Sequence, residues 1–202
     1  MTAPLRQPQA RVSLAALRHN LAVVRSHLSP GTGVMAAVKA NAYGHGAVPI
    51  ARELAAGGVS WFCVATPDEA LELRRAGIEG RILLLIPEFE RAAELSAAGV
   101  DLTVTDPESL DAAPGDARLH LKVDTGMSRL GLGAEGALAL ARRIAAWGRN
   151  LTAVWTHFAR ADEPDREPTL EQLHRFERVL AGLEREGLRP PLVHASNSAG
   201  AL

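Results

Sequence analysis

The sequence is poor in the features that mark several large classes of protein. It has one cysteine, Cys63, which excludes a disulfide framework, and the apolar neighbours of this residue favour a buried structural thiol over a nucleophile. No apolar run approaches the ~20 residues that span a bilayer, and residues 1–11 lack the hydrophobic segment of a signal peptide. A formal net charge of -1 supplies no basic field for nucleic acid. We therefore expect a cytoplasmic protein with a small-molecule partner and neither nucleic acid nor membrane as a partner.

What the sequence does contain is enough apolar material for a large core. Of its 202 residues, 47% are hydrophobic and 22% are charged, which is typical of a folded soluble protein and not of a disordered one. Residues 1–11 are rich in proline and glutamine and predict an extended lead-in. Ser13 then predicts the N-cap of a helix over residues 14–27. We divide the chain into this lead-in and one domain, residues 12–202.

Strand-like and helix-like segments alternate along the domain. The predicted strands cover residues 34–39, 61–65, 81–86, 101–105, 119–124, 151–157 and 192–195. Further helices are predicted over residues 47–56, 67–76, 89–98, 135–147 and 169–186. In the last helix, one apolar stripe is predicted to face the core: Leu170, Leu173, Phe176, Leu180 and Leu183. This alternation predicts parallel strands with helical crossovers, in either an open doubly wound sheet or a closed β/α barrel.

The fifth strand decides between these two folds. His120, Lys122 and Asp124 share one face of it, and the leucines and the valine share the other. An open sheet covered by helices needs apolar residues on both faces, whereas a barrel can turn polar residues inward. No glycine-rich dinucleotide or triphosphate loop follows a strand. We predict a TIM-type β/α barrel that is incomplete, with about seven of its eight β/α units.

The first strand ends in a lysine that is followed at once by turn residues. The two-residue strand period places Lys39 at the end of residues 34–39, before a loop and a helix. Taken alone, a lysine in this position is usually exposed to solvent and has no chemical role.

Other reactive side chains also follow predicted strands, and active sites of β/α barrels gather at the carboxyl ends of the strands. A lysine able to form an imine, an arginine, an imidazole and a Ser/Gly turn together suit a pyridoxal phosphate pocket. Each residue alone also has a purely structural explanation, and their convergence on one rim favours the pocket. The residues on this rim are Lys39, Tyr43, Lys122, Arg129, His157 and Ser196 to Ser198.

Four ordered blocks of the sequence resemble the alanine racemase family, from about Ala10 to the last residue. The blocks are AVKANAYGHG (residues 37–46), KVDTGMSRLG (122–131), THFARAD (156–162) and HASNS (194–198). The resemblance implies that Lys39 holds pyridoxal 5'-phosphate covalently and is one of two proton-transfer groups. It also implies that Tyr43 and Ser198 bind the cofactor's phosphate and that His157 lies against its ring.

The resemblance implies roles for four further residues. Arg129 would bond the phenolic oxygen of the cofactor, and Lys122 would be carbamylated to hold Arg129. Asn197 would line the pocket, with His194 behind it, and no metal is implied. Burial in a barrel disfavours a charged amine, which suits imine and carbamate chemistry, and a carbamate would be an anionic partner for Arg129.

The activity implied is the interconversion of L-alanine and D-alanine, which supplies D-alanine for peptidoglycan, in an enzyme that is a homodimer when complete. Relatives in this family continue into a C-terminal β domain that carries a second proton-transfer group, a tyrosine. The one tyrosine here is Tyr43, so we expect a truncated racemase that is inactive alone. Two alternatives stay open: another pyridoxal phosphate barrel enzyme (a broad-specificity racemase, a decarboxylase or a D-threonine aldolase), or a non-catalytic pyridoxal phosphate carrier.

Overall fold

The computed structural model describes residues 10–202, which form one curled sheet of seven parallel strands with helices between them. The strands are β1 Met35–Ala37, β2 Trp61–Val64, β3 Arg81–Leu84, β4 Val100–Val104, β5 Arg118–Lys122, β6 Asn150–Trp155 and β7 Leu192–His194. They lie in chain order, and each pairs in parallel with the next. This is the arrangement of a β/α barrel with seven units, as predicted.

Helices lie between the strands and on the outside of the sheet. They are α1 Leu14–His27, α2 Lys39–Tyr43, α3 Ala47–Ala56, α4 Pro67–Arg75, α5 Ala92–Ala97, α6 Pro107–Ala112, α7 Ala134–Ala146, α8 Glu167–Arg185 and α9 Ser198–Ala201. None of those described between residues 10 and 202 has both the length and the apolar character that crossing a bilayer requires. The predicted lead-in, residues 1–11, lies outside the described residues except for its last two, which have no regular secondary structure.

Local capping explains where several helices begin. The Ser13 side chain accepts a hydrogen bond from the Ala16 amide at the start of α1, as its position predicts. A capping box between Thr66 and Glu69 begins α4. A second box, formed by Asp106 and Ser109, begins α6, which sequence patterning missed because six residues are too few to show a helical period.

The buried face of α8 agrees only in part with the predicted apolar stripe. Leu170, the first residue of that stripe, is 44% exposed. The face turned to the core keeps Phe176 and Leu183 of that stripe and adds Gln172 and Val179. A buried glutamine therefore stands where apolar periodicity alone would not place one.

The two faces of the sheet differ in character. On the outer face, side chains such as Ile82 and Leu121 are fully buried against the helices. The inner face carries buried polar groups, including Asp101, His120 and Lys122. This pattern agrees with the predicted barrel and explains why polar residues alternate with apolar ones along β5.

Candidate active site

Lys39 lies just beyond the carboxyl end of β1. The strand stops at Ala37, two residues earlier than predicted, and the buried Val38 donates its amide to the Cys63 carbonyl of β2 at 3.0 Å. Lys39 is half-buried and begins α2. The lysine is therefore held by the last backbone contact between two strands, at the rim predicted to carry the chemistry.

The segment after Lys39 is left-handed. Residues Ala40 to Tyr43 have φ between 50° and 55°, a conformation that costs roughly 1–2 kcal/mol for each non-glycine residue. Two side-chain hydrogen bonds oppose this strain: the Ala40 amide donates to Glu69 Oε1 at 2.6 Å, and the Ala47 amide donates to Asn41 Oδ1 at 2.7 Å. Strain held in this way is a common property of functional segments.

This turn presents Tyr43 on the rim with 60% of its surface exposed. Partial burial, together with Cys63, raises the pKa of Tyr43, so the phenol stays protonated as a hydrogen-bond donor. Glu69 was not predicted as a site residue. Its other oxygen caps α4 through the amides of Ala65 and Thr66, so one carboxylate ties the lysine turn to the next β/α unit.

Lys122 is the last residue of β5 and is only 3% exposed. Its Nζ donates to the Val123 carbonyl at 2.8 Å and lies 4.9 Å from the centroid of the Trp155 ring. Burial lowers its pKa to about 8; the Asp124 carboxylate opposes this shift and Arg129 adds to it. A substantial neutral fraction of this amine is therefore present near neutral pH.

The loop after β5 folds back on itself and carries Arg129 at its exposed tip. Asp124 Oδ1 accepts the amides of Gly126 and Ser128, at 3.0 and 2.9 Å, and the Asp124 amide donates to the Leu132 carbonyl. Asp124 therefore lies beyond the end of β5 in a turn, not on the inner strand face as predicted. The turn brings Arg129 close enough to lower the pKa of Lys122.

Gly131 packs against Lys122, and we expect Gly131→Ala to disturb the site strongly. Its φ is +102°, and a Cβ there would lie 2.8 Å from the Lys122 carbonyl oxygen and 2.9 Å from Lys122 Cγ. Backbone strain and overpacking together predict a loss of about 2–5 kcal/mol in urea unfolding. The matched control is Gly133→Ala, at φ -63° with no atom within 4 Å, for which the expected loss is below about 1 kcal/mol. Equal losses in the two variants would contradict the predicted contact.

His157 follows β6 and is half-buried. Burial lowers its pKa, and the charges of Arg129, Lys122 and Lys39 lower it further. These three cations lie at or beyond the ends of two different strands, β1 and β5, so the structure brings four of the predicted residues into one electrostatic neighbourhood.

Gln172, which the sequence did not predict as a site residue, holds the His157 loop in place. Its Nε2 donates to the His157 carbonyl and to Thr125 Oγ1, both at 3.1 Å, and its Oε1 accepts the Ala159 amide at 2.8 Å. Thr125 also shares a 2.8 Å hydrogen bond with the Thr156 hydroxyl. One buried amide on α8 therefore ties together the loops after β5 and β6. A polar residue in register with Phe176, Val179 and Leu183 is the signal that would have identified it.

The remaining predicted residues lie at and after the end of β7. Asn197 caps α9, since its Oδ1 accepts the Gly200 amide at 2.9 Å, and its Nδ2 donates to the Phe158 carbonyl at 3.2 Å. Ser198, the first residue of α9, is exposed on the rim. His194 is half-buried and lies inside the barrel, stacked on Trp155 with ring centroids 5.3 Å apart.

The charge of this rim fits an anionic ligand. The charges of Lys39, Lys122 and Arg129 all lower the pKa of His157, and the carboxylate of Asp124 is occupied by its turn. Exposed hydroxyls of Tyr43 and Ser198 lie on the same rim, with no hydrogen bond to the other predicted residues in the described part of the chain. Within residues 10–202, no three His, Cys, Asp or Glu side chains form a group suited to a metal ion.

The fold and this rim together define a class of protein: a β/α barrel domain whose cationic rim is built around strand-end lysines. The family model for "Alanine racemase, N-terminal domain" matches residues 12–202. The chain therefore belongs to the alanine racemase family.

Individual relatives agree with this assignment. The chain is 43% identical to the alanine racemase of Thermobifida fusca, over 96% of this chain and 55% of that protein. It is also 43% identical to the alanine racemase of Deinococcus radiodurans, over 96% of this chain and 53% of that protein. The crystal structure of alanine racemase from E. faecalis superimposes with a TM-score of 0.87 at 40% identity, covering 95% of this chain and 54% of that one. The chain thus spans about half the length of the relatives it matches.

Proposed function

We propose that these residues form the cofactor-binding barrel of an alanine racemase, which interconverts L-alanine and D-alanine with pyridoxal 5'-phosphate. The observation that carries the proposal is that Lys39, Lys122 and Arg129 lie at the carboxyl ends of the strands and that the charges of all three lower the pKa of His157. Such a cluster suits an anionic cofactor that attaches to a lysine. The names of the relatives favour the racemase over the decarboxylase and aldolase alternatives.

Each residue of the proposed site has a task that its position permits. Lys39 Nζ is the attachment point, and the exposed hydroxyls of Tyr43 and Ser198 are the donors for the phosphate. Arg129 is the donor for the phenolic oxygen, and His157 is the ring-stacking partner. Asn197 lines the pocket through its bond to the loop after β6.

The proton chemistry falls to Lys39. When bound, pyridoxal phosphate withdraws electrons from the substrate and makes its α-proton acidic. Lys39 then takes or returns that proton at Nζ, from one side of the α-carbon. Racemisation needs a second group on the opposite side. We infer that the complete protein supplies this group and that it is a cytoplasmic homodimer making D-alanine for peptidoglycan, in keeping with its family. We also infer that residues 12–202 act as one cofactor-binding domain, with residues 1–11 as its lead-in.

Two assays test the proposed reaction. Alanine is incubated with the protein and pyridoxal phosphate in deuterated water, and both α-proton exchange and chirality are measured. We expect exchange in the parent and none in Lys39→Ala. Exchange of one enantiomer without racemisation is expected if Lys39 acts alone. Loss of carbon dioxide from alanine, or cleavage of D-threonine without exchange of alanine, would instead support the alternative enzymes. Cofactor binding with no reaction at all would support the carrier.

Lys122 is proposed to react with carbon dioxide to form a carbamate. Its amine has a pKa of about 8 because it is buried, and only the neutral amine is nucleophilic. The product would place an anion beside Arg129, in place of a cation that repels it.

We expect ¹³C-labelled bicarbonate to give a carbamate carbon signal in the parent protein and not in Lys122→Arg. At a fixed bicarbonate concentration the signal should rise with pH and level off above about pH 8, where the folded protein's amine is already neutral. A signal that keeps rising towards about pH 10, as for an exposed lysine, would show that Lys122 is not the reacting group.

A further inference from the structure

A chain of three polar side chains crosses the barrel interior, and the proposed reaction assigns no role to the two that are completely buried. Asp101 on β4 and His120 on β5 are both completely buried. Asp101 Oδ2 lies 3.0 Å from His120 Nε2, and His120 Nδ1 lies 3.1 Å from Nε2 of His194 on β7. The order Asp101, His120, His194 therefore runs across three strands towards the predicted site.

Asp101 is ionised and acts only as an acceptor. Arg118 Nε donates to its Oδ1 at 2.7 Å, and Arg81 donates to both of its oxygens. Burial opposes ionisation, but the hydrogen bonds from His120, Arg81 and Arg118 outweigh it and lower the pKa of Asp101. An ionised carboxylate has no proton to give, so the hydrogen between Asp101 and His120 must be on His120 Nε2.

His120 is neutral. The carboxylate already faces two guanidinium groups, so a protonated His120 would be a third cation around one buried anion. Burial lowers the pKa of His120, and although Asp101 opposes the shift, Arg81 and Arg118 add to it. A neutral imidazole carries one hydrogen. With that hydrogen on Nε2, His120 Nδ1 is an acceptor and the hydrogen of the second bond must come from His194 Nε2.

We propose that Asp101 and His120 are positioning residues, which hold His194 as the neutral tautomer protonated at Nε2 and leave its Nδ1 as an acceptor. The tautomer follows from the hydrogen bonds with Asp101 ionised and His120 neutral, whereas its use in the reaction rests on the proposed function.

The protonation state of His194 affects its neighbour Lys122. The His194 ring stacks on Trp155 at an interplanar angle of 12°, and the same indole lies 4.9 Å from Lys122 Nζ. His194 therefore meets His120 from β5 and Trp155 from β6, with the charge of Lys122 close by. Burial, His120 and Lys122 lower its pKa to about 3. A neutral His194 therefore adds no second positive charge beside Lys122, and the reactivity of this amine is set by its burial and by Arg129.

The test is a tautomer measurement on the 202-residue chain without cofactor. Long-range ¹H–¹⁵N spectra distinguish protonated from bare ring nitrogens, and His120→Gln and His194→Gln assign the two signals among the seven histidines. We expect both rings to be neutral with hydrogen on Nε2, and His194 to stay so from about pH 8 to about pH 4, above its pKa of about 3. Hydrogen on Nδ1 of His194, or protonation near its ordinary pKa of 6.5, overturns the proposal.

The same tautomer measurement on the Asp101→Asn variant is the second test. The two arginines need an acceptor, so the amide oxygen stays with them and the amide nitrogen turns to His120. The N–H of this amide can bond only to a His120 Nε2 that carries no hydrogen. The hydrogen of His120 is then on Nδ1 and is donated to His194 Nε2, so we expect both histidines to change to the Nδ1-protonated tautomer. Thr103→Val, the next inward position on β4, is the control and should leave the tautomers unchanged. A folded Asp101→Asn variant with parental tautomers overturns the proposal. Because no cofactor or substrate is present, this outcome is independent of whether the protein is a racemase.

Discussion

Replacement of Asp101 by leucine is expected to remove about 3–5 kcal/mol from the free energy of unfolding, the usual cost of breaking a buried ion pair from one side. Leucine has a similar branched shape but offers no acceptor. The Arg81 and Arg118 guanidiniums and the His120 N–H would then lose their shared partner inside the barrel. The loss should lie at the lower end of this range because the Arg81 and Arg118 side chains are 37% and 34% exposed and can turn partly to water, whereas the His120 N–H stays buried without an acceptor.

Urea unfolding at neutral pH measures this loss, with Thr103→Val as the control. Thr103 lies on the same strand and is similarly buried, but its hydroxyl has no hydrogen-bond partner, so its removal should cost less than about 1 kcal/mol. The difference in the free energy of unfolding between the parent and the Asp101→Leu variant should also become smaller as the pH falls below 3.8. The pKa of Asp101 is lowered in the folded state, so its contribution to stability is lost on the acid side. A loss no larger than that of Thr103→Val would show that the carboxylate is not central to the interior.

In buffer free of carbon dioxide, where Lys122 is a free amine, Lys122→Met should stabilise the protein by on the order of 3 kcal/mol at neutral pH. Lowering the amine's pKa from 10.5 to about 8 by burial means that the folded protein resists the charged form, and each pKa unit corresponds to about 1.4 kcal/mol. Methionine fills similar space without a charge. The residue proposed to take up carbon dioxide is therefore expected to cost the fold stability, a known pattern at functional sites.

The pH dependence separates this effect from better packing. Between pH 8 and pH 10.5 the unfolded chain keeps a proton on Lys122 that the folded protein has lost, so the parent gains stability as the pH rises and the Lys122→Met variant does not. The difference in the free energy of unfolding between the Lys122→Met variant and the parent should therefore become smaller over that range. Lys39 is the other lysine of the sequence and is half-buried, so Lys39→Met serves as the control, with an expected change below about 1 kcal/mol. A constant advantage from neutral pH to above 10.5 would mean that Lys122 carries no penalty in the fold.

Much of the fold was accessible from the sequence because its signals are local. The predicted ranges of α1 and α3 agree with the observed ones, and all seven predicted strands are present. The alternation of polar and apolar residues along β5 identified the inner face of the barrel, with Lys122 on it. The strands themselves are mostly shorter than predicted, because apolar runs continue past the last paired residue into the rim.

The rest depends on contacts between residues that are distant in sequence. Nothing in the letters after Lys39 indicates a left-handed turn, which is held in place because Glu69, 29 residues after Ala40, accepts the Ala40 amide. Asp101, His120 and His194 are joined only when β4, β5 and β7 curl around a common interior, and 74 residues separate the two histidines. The role of Gln172 could not be predicted for the same reason, since its hydrogen-bond partners lie in two loops that α8 covers.

The most direct test of the account is to find which lysine binds pyridoxal phosphate. The folded protein is incubated with the cofactor and reduced with borohydride, which makes the attachment permanent, and the labelled peptide is identified by mass spectrometry. The sequence has two lysines, so the result is a choice between Lys39 and Lys122 with the chain's amino terminus as background. The account predicts the label on Lys39, and its loss in Lys39→Arg. A label on Lys122, or no label in protein shown to be folded, would contradict it.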